Sequence, residues 1–257
     1  MSGKTVLITG ASGGIGLELA RIFSREKYRL VLVARSAEKL QEIKKELEPS
    51  SVDILVKDLS EPLAAGQIFS ELQERSVSVD ILVNNAGVGS FGLFADADLA
   101  SQEEMIRLNM LSLTQLTHLF LRSMIERGEG KVLNVASTAA FQPGPLMAVY
   151  YASKSYVLSF SEALANELSG TGVSVTVLCP GPTETGFQKA ANMGASKLFK
   201  RHVRSAKEVA EAGYRGLMKN KTLVVPGLDN RFFAASVRLS PRWLTPRVVR
   251  KIQESEK

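Results

Sequence analysis

Seven short apolar, β-branched runs punctuate the chain: Thr5-Val6-Leu7-Ile8, Leu30-Val31-Leu32-Val33, Val52-Asp53-Ile54-Leu55-Val56, Ile81-Leu82-Val83, Val132-Leu133-Asn134-Val135, the stretch 173–178, and Leu223-Val224-Val225. Each is nearly continuous rather than alternating, the pattern of a strand buried on both faces. Amphipathic stretches of helix length separate most of them, at 14–26, 36–48, 61–75, 100–127, 150–169 and 205–219. Strands alternating with helices predict an α/β fold: a doubly wound, seven-stranded parallel sheet with helices on both faces. No linker-like stretch divides residues 1–227, which are expected to form one domain. Residues 228–240 and 246–253 predict two short helices, broken by Pro241 and Pro246, so 228–257 is expected to be a helical C-terminal extension packed on or beside that domain.

At 257 residues the chain is long enough for one large domain with a sizeable core, and its composition is ordinary for a globular protein. A single cysteine, Cys179, excludes an internal disulfide, and His118 and His202 alone make no cluster of zinc-ligand spacing. No stretch reaches the roughly 18 apolar residues of a membrane span, and Met1-Ser2-Gly3-Lys4 runs into the first strand without the apolar core of a secretory signal. A cytoplasmic protein is expected. The formal net charge of +6 is uneven: residues 201–257 carry 13 Lys and Arg against 5 Asp and Glu, while the first 200 carry 19 against 21. The basicity belongs to the tail, where it suits a membrane surface, nucleic acid or an acidic partner, or more simply a solvated face.

The first strand ends in Thr9-Gly10-Ala11-Ser12-Gly13-Gly14-Ile15-Gly16 and opens into a helix. Glycines let the backbone turn tightly and approach a phosphate, and the unpaired N–H groups of a helix start favour an anion, so this turn is placed to hold a dinucleotide pyrophosphate. Its spacing is G-x-x-x-G-x-G rather than G-x-G-x-x-G, and a plain glycine-rich turn is the bland alternative. Two other motifs overlap it. Gly3-Lys4-Thr5 is like the end of a P-loop but precedes the strand and lacks the upstream glycine. Gly10-Ala11-Ser12-Gly13-Gly14 matches the esterase G-x-S-x-G, but such a hydrolase needs an oxyanion loop upstream, and only nine residues precede this turn. After the second strand, an acidic residue would hold the ribose hydroxyl of NAD, whereas an arginine pairs with a 2′-phosphate. Ala34 and Arg35 stand there, with Ser36 and Lys39 nearby, which points to NADP(H) in preference to NAD(H). Without the glycine turn, Arg35 would read as a solvated surface residue. Asp58-Leu59 and Asn84-Asn85-Ala86-Gly87 follow the third and fourth strands, at the sheet edge where open α/β proteins bind ligands.

Between Ser137 and Lys154 runs S-T-A-A-F-Q-P-G-P-L-M-A-V-Y-Y-A-S-K, a hydroxyl, a Pro-Gly-Pro loop and a helix start. Tyr150 and Lys154, four apart, share one helix face. A cation beside a phenol favours the phenolate and brings a pKa near 10 toward the working range of an acid or base. Tyr151 lies three residues from Lys154, so spacing alone prefers Tyr150 only weakly, and a lone Tyr-x-x-x-Lys is often surface decoration. Asn109 sits on the helix face made by Met105, Leu108, Ser112, Leu116, Leu119 and Phe120, where a buried amide needs partners. Alone, it reads as a satisfied core residue, and His118 on the same helix as a packing or surface residue.

Together these pieces resemble the short-chain dehydrogenase/reductase family over residues 4 to about 226. The resemblance rests on T-G-A-S-G-G-I-G at 9–16, N-N-A-G at 84–87, Asn109, Ser137 thirteen residues before Tyr150, Y-Y-A-S-K at 150–154 and P-G-P-T at 180–183. Each motif is weak alone and the set is specific. It selects Tyr150 over Tyr151. The resemblance implies a Rossmann-like fold and an NADP(H)-dependent enzyme acting on a carbonyl or alcohol. It makes Tyr150 the acid or base, Ser137 the hydrogen-bond partner of the substrate oxygen, Lys154 the cation that lowers the tyrosine's pKa and holds the nicotinamide ribose, and Asn109 the holder of a relay water. Gly10, Ser12, Gly14, Ile15 and Gly16 would bind the pyrophosphate region, Arg35 the 2′-phosphate, and Asp58 with Leu59 the adenine. Asn85, Ala86 and Gly87 would face the cofactor from the fourth strand, and Pro180, Gly181 and Thr183 would flank the nicotinamide. It also implies a homodimer or homotetramer packed through the helices at 100–127 and 150–169, with no nucleic-acid partner. The rival from another class is a scaffold that senses NADP(H) or holds a partner without turnover, whose signature would be a broken catalytic set; here the set is complete.

Substrate choice lives in loops. The candidates are 91–94, 141–147 and 183–202, with Phe187, Met193, Leu198 and Phe199, and their apolar character suits either a hydrophobic substrate or a sealed lid. The tail places Phe232, Phe233, Trp243, Leu244 and Val248 beside Arg231, Arg238, Arg242, Arg247 and Arg250. That pattern suits either peripheral contact with an anionic membrane or packing over the cleft or a neighbouring subunit.

Overall fold

The computed structural model of the protein describes residues 3–47, 51–187, 191 and 203–254. Six strands come first in chain order: β1 (Thr5–Thr9), β2 (Arg29–Ala34), β3 (Val52–Val56), β4 (Ile81–Asn84), β5 (Gly130–Val135) and β6 (Val173–Leu178). Then come β7 (Thr183–Glu184) and β8 (Arg204–Ser205), a small parallel pair too short to show a sequence pattern, and β9 (Leu223–Val224). Seven strands make one sheet in the order β3-β2-β1-β4-β5-β6-β9, every pairing parallel. This is the Rossmann-like arrangement expected from the alternating pattern.

Side chains alternate across each strand, and the two resulting faces build two cores. Val6, Ile8, Leu30 and Leu32 point to one face, covered by α1 (Gly14–Arg25), α2 (Ala37–Glu46) and α7 (Ala206–Met218). Leu7, Val31, Val33 and Leu82 point to the other, covered by α3 (Ala64–Glu74), α5 (Leu113–Arg127) and α6 (Ala148–Glu167). The expected single helix at 100–127 is one continuous rod with a fault in it. Helix α4 (Leu99–Ile106) passes into α5 through a π-helical segment, Arg107–Ser112. Such segments add a residue to the turn and re-aim the side chains they carry. This one carries Asn109.

The strand order reverses beside β1, because β2 and β3 lie on one side of it and β4, β5 and β6 on the other. A crevice at that point, beyond the carboxyl ends of the strands, is the site that this topology creates. The tail helices α8 (Leu228–Leu239) and α9 (Thr245–Gln253) return to its mouth. Pro246 lies in the first turn of α9, where its missing N–H costs no hydrogen bond, so it starts that helix rather than breaking the tail. Among the described residues no helix is long and apolar enough to cross a membrane.

Candidate active site

A cleft of about 600 Å³ opens beyond the carboxyl ends of β1 to β6. Gly10, Ser12, Gly14, Ile15, Arg35, Asp58, Leu59, Asn85, Ala86, Gly87, Ser137, Tyr150, Lys154, Pro180, Gly181 and Thr183 all line it. Gly16 and Asn109 stand behind its wall.

The turn after β1 depends on backbone freedom. Gly10 and Gly14 take φ of 64° and 56°, in the left-handed region that side chains disfavour. Asn85 fastens the turn from the end of β4: its Nδ2 donates to the carbonyls of Thr9 at 2.9 Å and Gly10 at 3.1 Å. The Thr9 hydroxyl accepts from the backbone N–H of Asn85 and of Ala86, both at 3.0 Å. Gly16, expected beside the pyrophosphate, also has a packing role. A Cβ there would overlap the Gly10 carbonyl oxygen and the Asn85 amide, so only glycine lets α1 close on the turn. Gly16→Ala is therefore expected to cost about 1–3 kcal/mol through overpacking and to lower Tm by several degrees. Calorimetry showing an unchanged Tm would contradict this account.

Gly13 caps α1 without a side-chain hydrogen bond, and a Cβ on it would meet nothing within 4 Å. The first turn of α1 thus offers its N–H groups to open cleft, which suits a pyrophosphate. At the far end, the Arg35 guanidinium lies 3.6 Å from Asp58 and 3.4 Å from Glu104. Burial works to raise the Asp58 carboxyl's pKa, but hydrogen bonds from the Ser60 backbone and hydroxyl, with the Arg35 charge, leave it below the usual carboxylate value. Glu104 had no sequence signal, because it reaches Arg35 only through the packing of α4 across the sheet edge.

Ser137 follows β5 and caps a short 3-10 turn, its hydroxyl accepting from Ala139 N–H at 3.1 Å and donating to the Pro180 carbonyl at 3.4 Å. Tyr150 enters from the first turn of α6, half-buried, its ring packed on Phe187 with 5.2 Å between centroids. Lys154, one turn on, is buried; its Nζ donates to the Val135 carbonyl at 3.0 Å and stands 5.8 Å from the Tyr150 ring centre. Burial dominates both side chains. It pushes the Tyr150 phenol up to about 12, with the Ser137 hydroxyl partly offsetting it, and pushes Lys154 down to about 8. The spacing had suggested that Lys154 would draw the phenol down. In this structure desolvation sets the direction for both, raising the phenol and lowering the lysine.

Asn109 is fully committed. Its Oδ1 accepts from Val88 N–H at 2.9 Å, and its Nδ2 donates to the Val88 carbonyl at 2.9 Å and the Ser153 hydroxyl at 3.1 Å. Gly87 packs between it and the lysine: a Cβ there would lie 3.1 Å from Asn109 Oδ1 and 3.3 Å from Lys154 Nζ. His118 is exposed. Met193, Leu198, Phe199 and His202 lie outside the described residues, as do the side chains of Arg238 and Leu239.

The substrate side of the cleft is built partly by the tail. Val249 of α9 packs in a cluster with Ala139, Met147 and Tyr151, and Gln253 Nε2 donates to the Tyr151 hydroxyl at 2.7 Å. Phe233 of α8 lines the cleft, while Leu228, Phe232 and Trp243 are exposed. A basic amphipathic pattern foretold a tail helix with two readings; its contact with Tyr151, 102 positions away, left no trace in the pattern.

Known proteins resemble this chain in sequence and in fold. The sequence model of the short chain dehydrogenases matches residues 4–195. The ketoacyl reductase HetN of a Nostoc species is 34% identical over 228 residues, covering 88% of this chain and 78% of its own. Sulfoacetaldehyde reductase 2 of Chromohalobacter salexigens is 40% identical over 185 residues, covering 71% of this chain and 73% of its own. A short-chain dehydrogenase from Sphingobium yanoikuyae, solved in complex with NADPH, superposes with a TM-score of 0.83 at 30% identity over 99% of this chain and 98% of its own. The chain belongs to the short-chain dehydrogenase/reductase family of oxidoreductases.

Proposed function

We propose that the protein is an NADP(H)-dependent oxidoreductase that moves hydride between the nicotinamide and a carbonyl or alcohol substrate with a largely apolar body. The observation that carries this reading is the meeting in one cleft of an uncapped helix start, an arginine at the end of β2, and Ser137, Tyr150 and Lys154. Gly10, Ser12, Gly14 and Ile15 would hold the pyrophosphate, Arg35 the 2′-phosphate, and Asp58 and Leu59 the adenine. Asn85, Ala86 and Gly87 would bound the ribose side, and Pro180, Gly181 and Thr183 the nicotinamide. When bound, the cofactor supplies or accepts the hydride at the substrate carbon.

The chain's own residues handle the proton. Ser137 donates a hydrogen bond to the substrate oxygen, and Tyr150 gives that oxygen its proton in reduction or takes it in oxidation. A phenol raised by burial stays protonated at neutral pH, which suits the reductive direction. Lys154 in its charged form favours the phenolate left behind and holds the ribose. Asn109 keeps the Val88 backbone and α6 in place where a relay water would sit beside Lys154. Ala139, Met147, Phe187, Phe233, Val249 and Ile252 give the substrate an apolar wall. Lys154 is the one cation among the described residues on that side, which favours an uncharged body, closer to a ketoacyl chain than to a sulfonate.

The proposal is tested by titrating the protein with NADPH and NADH while following Tm, and then assaying a carbonyl panel. A ligand at about 100 times its Kd stabilises the native state by about 2.7 kcal/mol, so the two cofactors are readily ranked. Stabilisation by neither would remove the proposal at its base.

Lys154 sets the expected pH dependence. Burial lowers its pKa, so the required ammonium is lost at lower pH than in an ordinary lysine. The kcat/KM for NADPH should be level below about 8 and fall about tenfold per pH unit above it. A decline that begins only near 10.5 would mean that burial does not act on this lysine.

A homodimer or homotetramer is part of the same proposal, supported by Leu99, Ile106 and Leu111, which stand exposed on the α4 and π-helical rod. Light scattering should report an oligomer that Leu111→Glu weakens, and a monomeric parent chain would exclude it.

A further inference from the structure

The substrate side of the cleft holds two buried acceptors that no described residue donates to. Gln142, 8% exposed, follows the 3-10 turn after Ser137, and Gln253, fully buried, lies near the end of α9. Both line the cleft that contains Tyr150, and the Oε1 atom of each is buried without a hydrogen-bond partner among the described residues. The other atoms in that condition, Asn84 Oδ1, Thr176 Oγ1 and Arg204 Nε, belong to residues that do not line the cleft. Unpaired buried acceptors are rare in native proteins because each forfeits its hydration without return. Two on one ligand cavity call for a ligand that donates.

Tyr151 links the two segments that carry these side chains. Gln253 Nε2 is spent on the Tyr151 hydroxyl, and Gly144 lies so close to the Tyr151 ring that a Cβ would overlap it, so the loop carrying Gln142 is packed on the same tyrosine. Turning the Gln253 amide over would let Tyr151 donate to it but would leave the Gln142 acceptor as it is. The torsion that aims a glutamine carbonyl is soft, so the Gln142 oxygen can turn to meet a ligand without moving the backbone, and small turns of the Gln253 amide keep its bond to Tyr151.

We infer that Gln142 and Gln253 form a second, polar anchor in the substrate cleft that reads an uncharged hydrogen-bond donor, a hydroxyl or an amide N–H, carried by the substrate away from its reacting carbon. The charge pattern sets the class. Asp58 is the only carboxylate among the described lining residues and lies at the Arg35 end, so an ammonium would find no counter-charge beside the glutamines. An anion would meet two carbonyl oxygens. The substrate is therefore a carbonyl compound with an apolar body and one neutral donor, and this deepens the proposed function, on which it rests.

Matched ketones test it: 4-hydroxybutan-2-one against pentan-2-one, 5-hydroxypentan-2-one against hexan-2-one, and acetoacetamide against its N,N-dimethyl derivative. Binding is read as thermal stabilisation of the NADP⁺-loaded protein, in which the ketone cannot be reduced, and turnover is read separately with NADPH. The parent protein should bind the donor-bearing member of at least one pair about tenfold or more tightly, because a site built around a hydrogen bond rejects the analogue that lacks it. In Gln142→Leu and in Gln253→Leu that preference should shrink to about twofold, with the NADP⁺ Kd held as the check that each variant folds. Equal binding within every pair, no binding by any ketone, or a preference that survives both substitutions would overturn the anchor. Donor preference in binding with no turnover of any ketone would instead overturn the proposed reaction and leave the anchor standing.

Discussion

Tyr150→Phe is expected to lower kcat by about 10²- to 10⁴-fold, the range that a positioned proton donor contributes, while the Kd for NADPH stays within about threefold. The substitution removes one hydroxyl and keeps the ring that packs on Phe187. The phenol pairs with the Ser137 hydroxyl, which Ala139 N–H and the Pro180 carbonyl also hold in place, so the fold has little reason to change. The oxygen lost is the one aimed into the cleft beside Ser137, and no other group there can replace it. Tyr151, next in sequence, has its hydroxyl engaged by Gln253 and its pKa raised further by burial. Single-turnover kinetics with saturating NADPH separate the proton step from binding. Full activity in the variant would end the assignment, and loss of NADPH binding would show that the hydroxyl serves the cofactor instead.

Exchanging Ala34→Asp together with Arg35→Ala should move cofactor preference toward NADH by roughly 10- to 150-fold in the ratio of Kd values, the worth of about one charge-assisted hydrogen bond. Two effects act together. The 2′-phosphate loses its cation, and Asp58 and Glu104, which now share Arg35 at 3.6 and 3.4 Å, are left to repel it. The same geometry makes Glu104 a resident competitor for the guanidinium. Glu104→Gln should therefore tighten NADPH binding by a few-fold and leave NADH unchanged, an exposed ion pair being worth about 1 kcal/mol or less. If the double variant retains the parent ratio, Arg35 does not read the phosphate.

The chain's own pattern determined the layered sheet, because burial on both faces forces contiguous apolar strands and the helices between them must each carry one apolar stripe. It also determined which chemical groups meet at the crevice. Ser137, Tyr150 and Lys154 lie within one strand-loop-helix unit, and Gly10 to Ile15 within another, so each set is close in sequence as well as in space. What only the tertiary structure decided lies between elements far apart in sequence. The π-helical segment that aims Asn109 at Val88 and Ser153 comes from a shifted backbone hydrogen-bond register, which has no compositional marker. The motif offers Gly16 as a cofactor contact, and only folding adds that the Gly10 carbonyl occupies the space its Cβ would need. Glu104 meets Arg35 across 69 positions and Gln253 meets Tyr151 across 102, and no periodicity along a chain encodes which polar group will face which across a cavity. The balance at Tyr150 and Lys154 was likewise decided by folding, because spacing reveals that a charge is near but burial sets how strongly water is excluded from both.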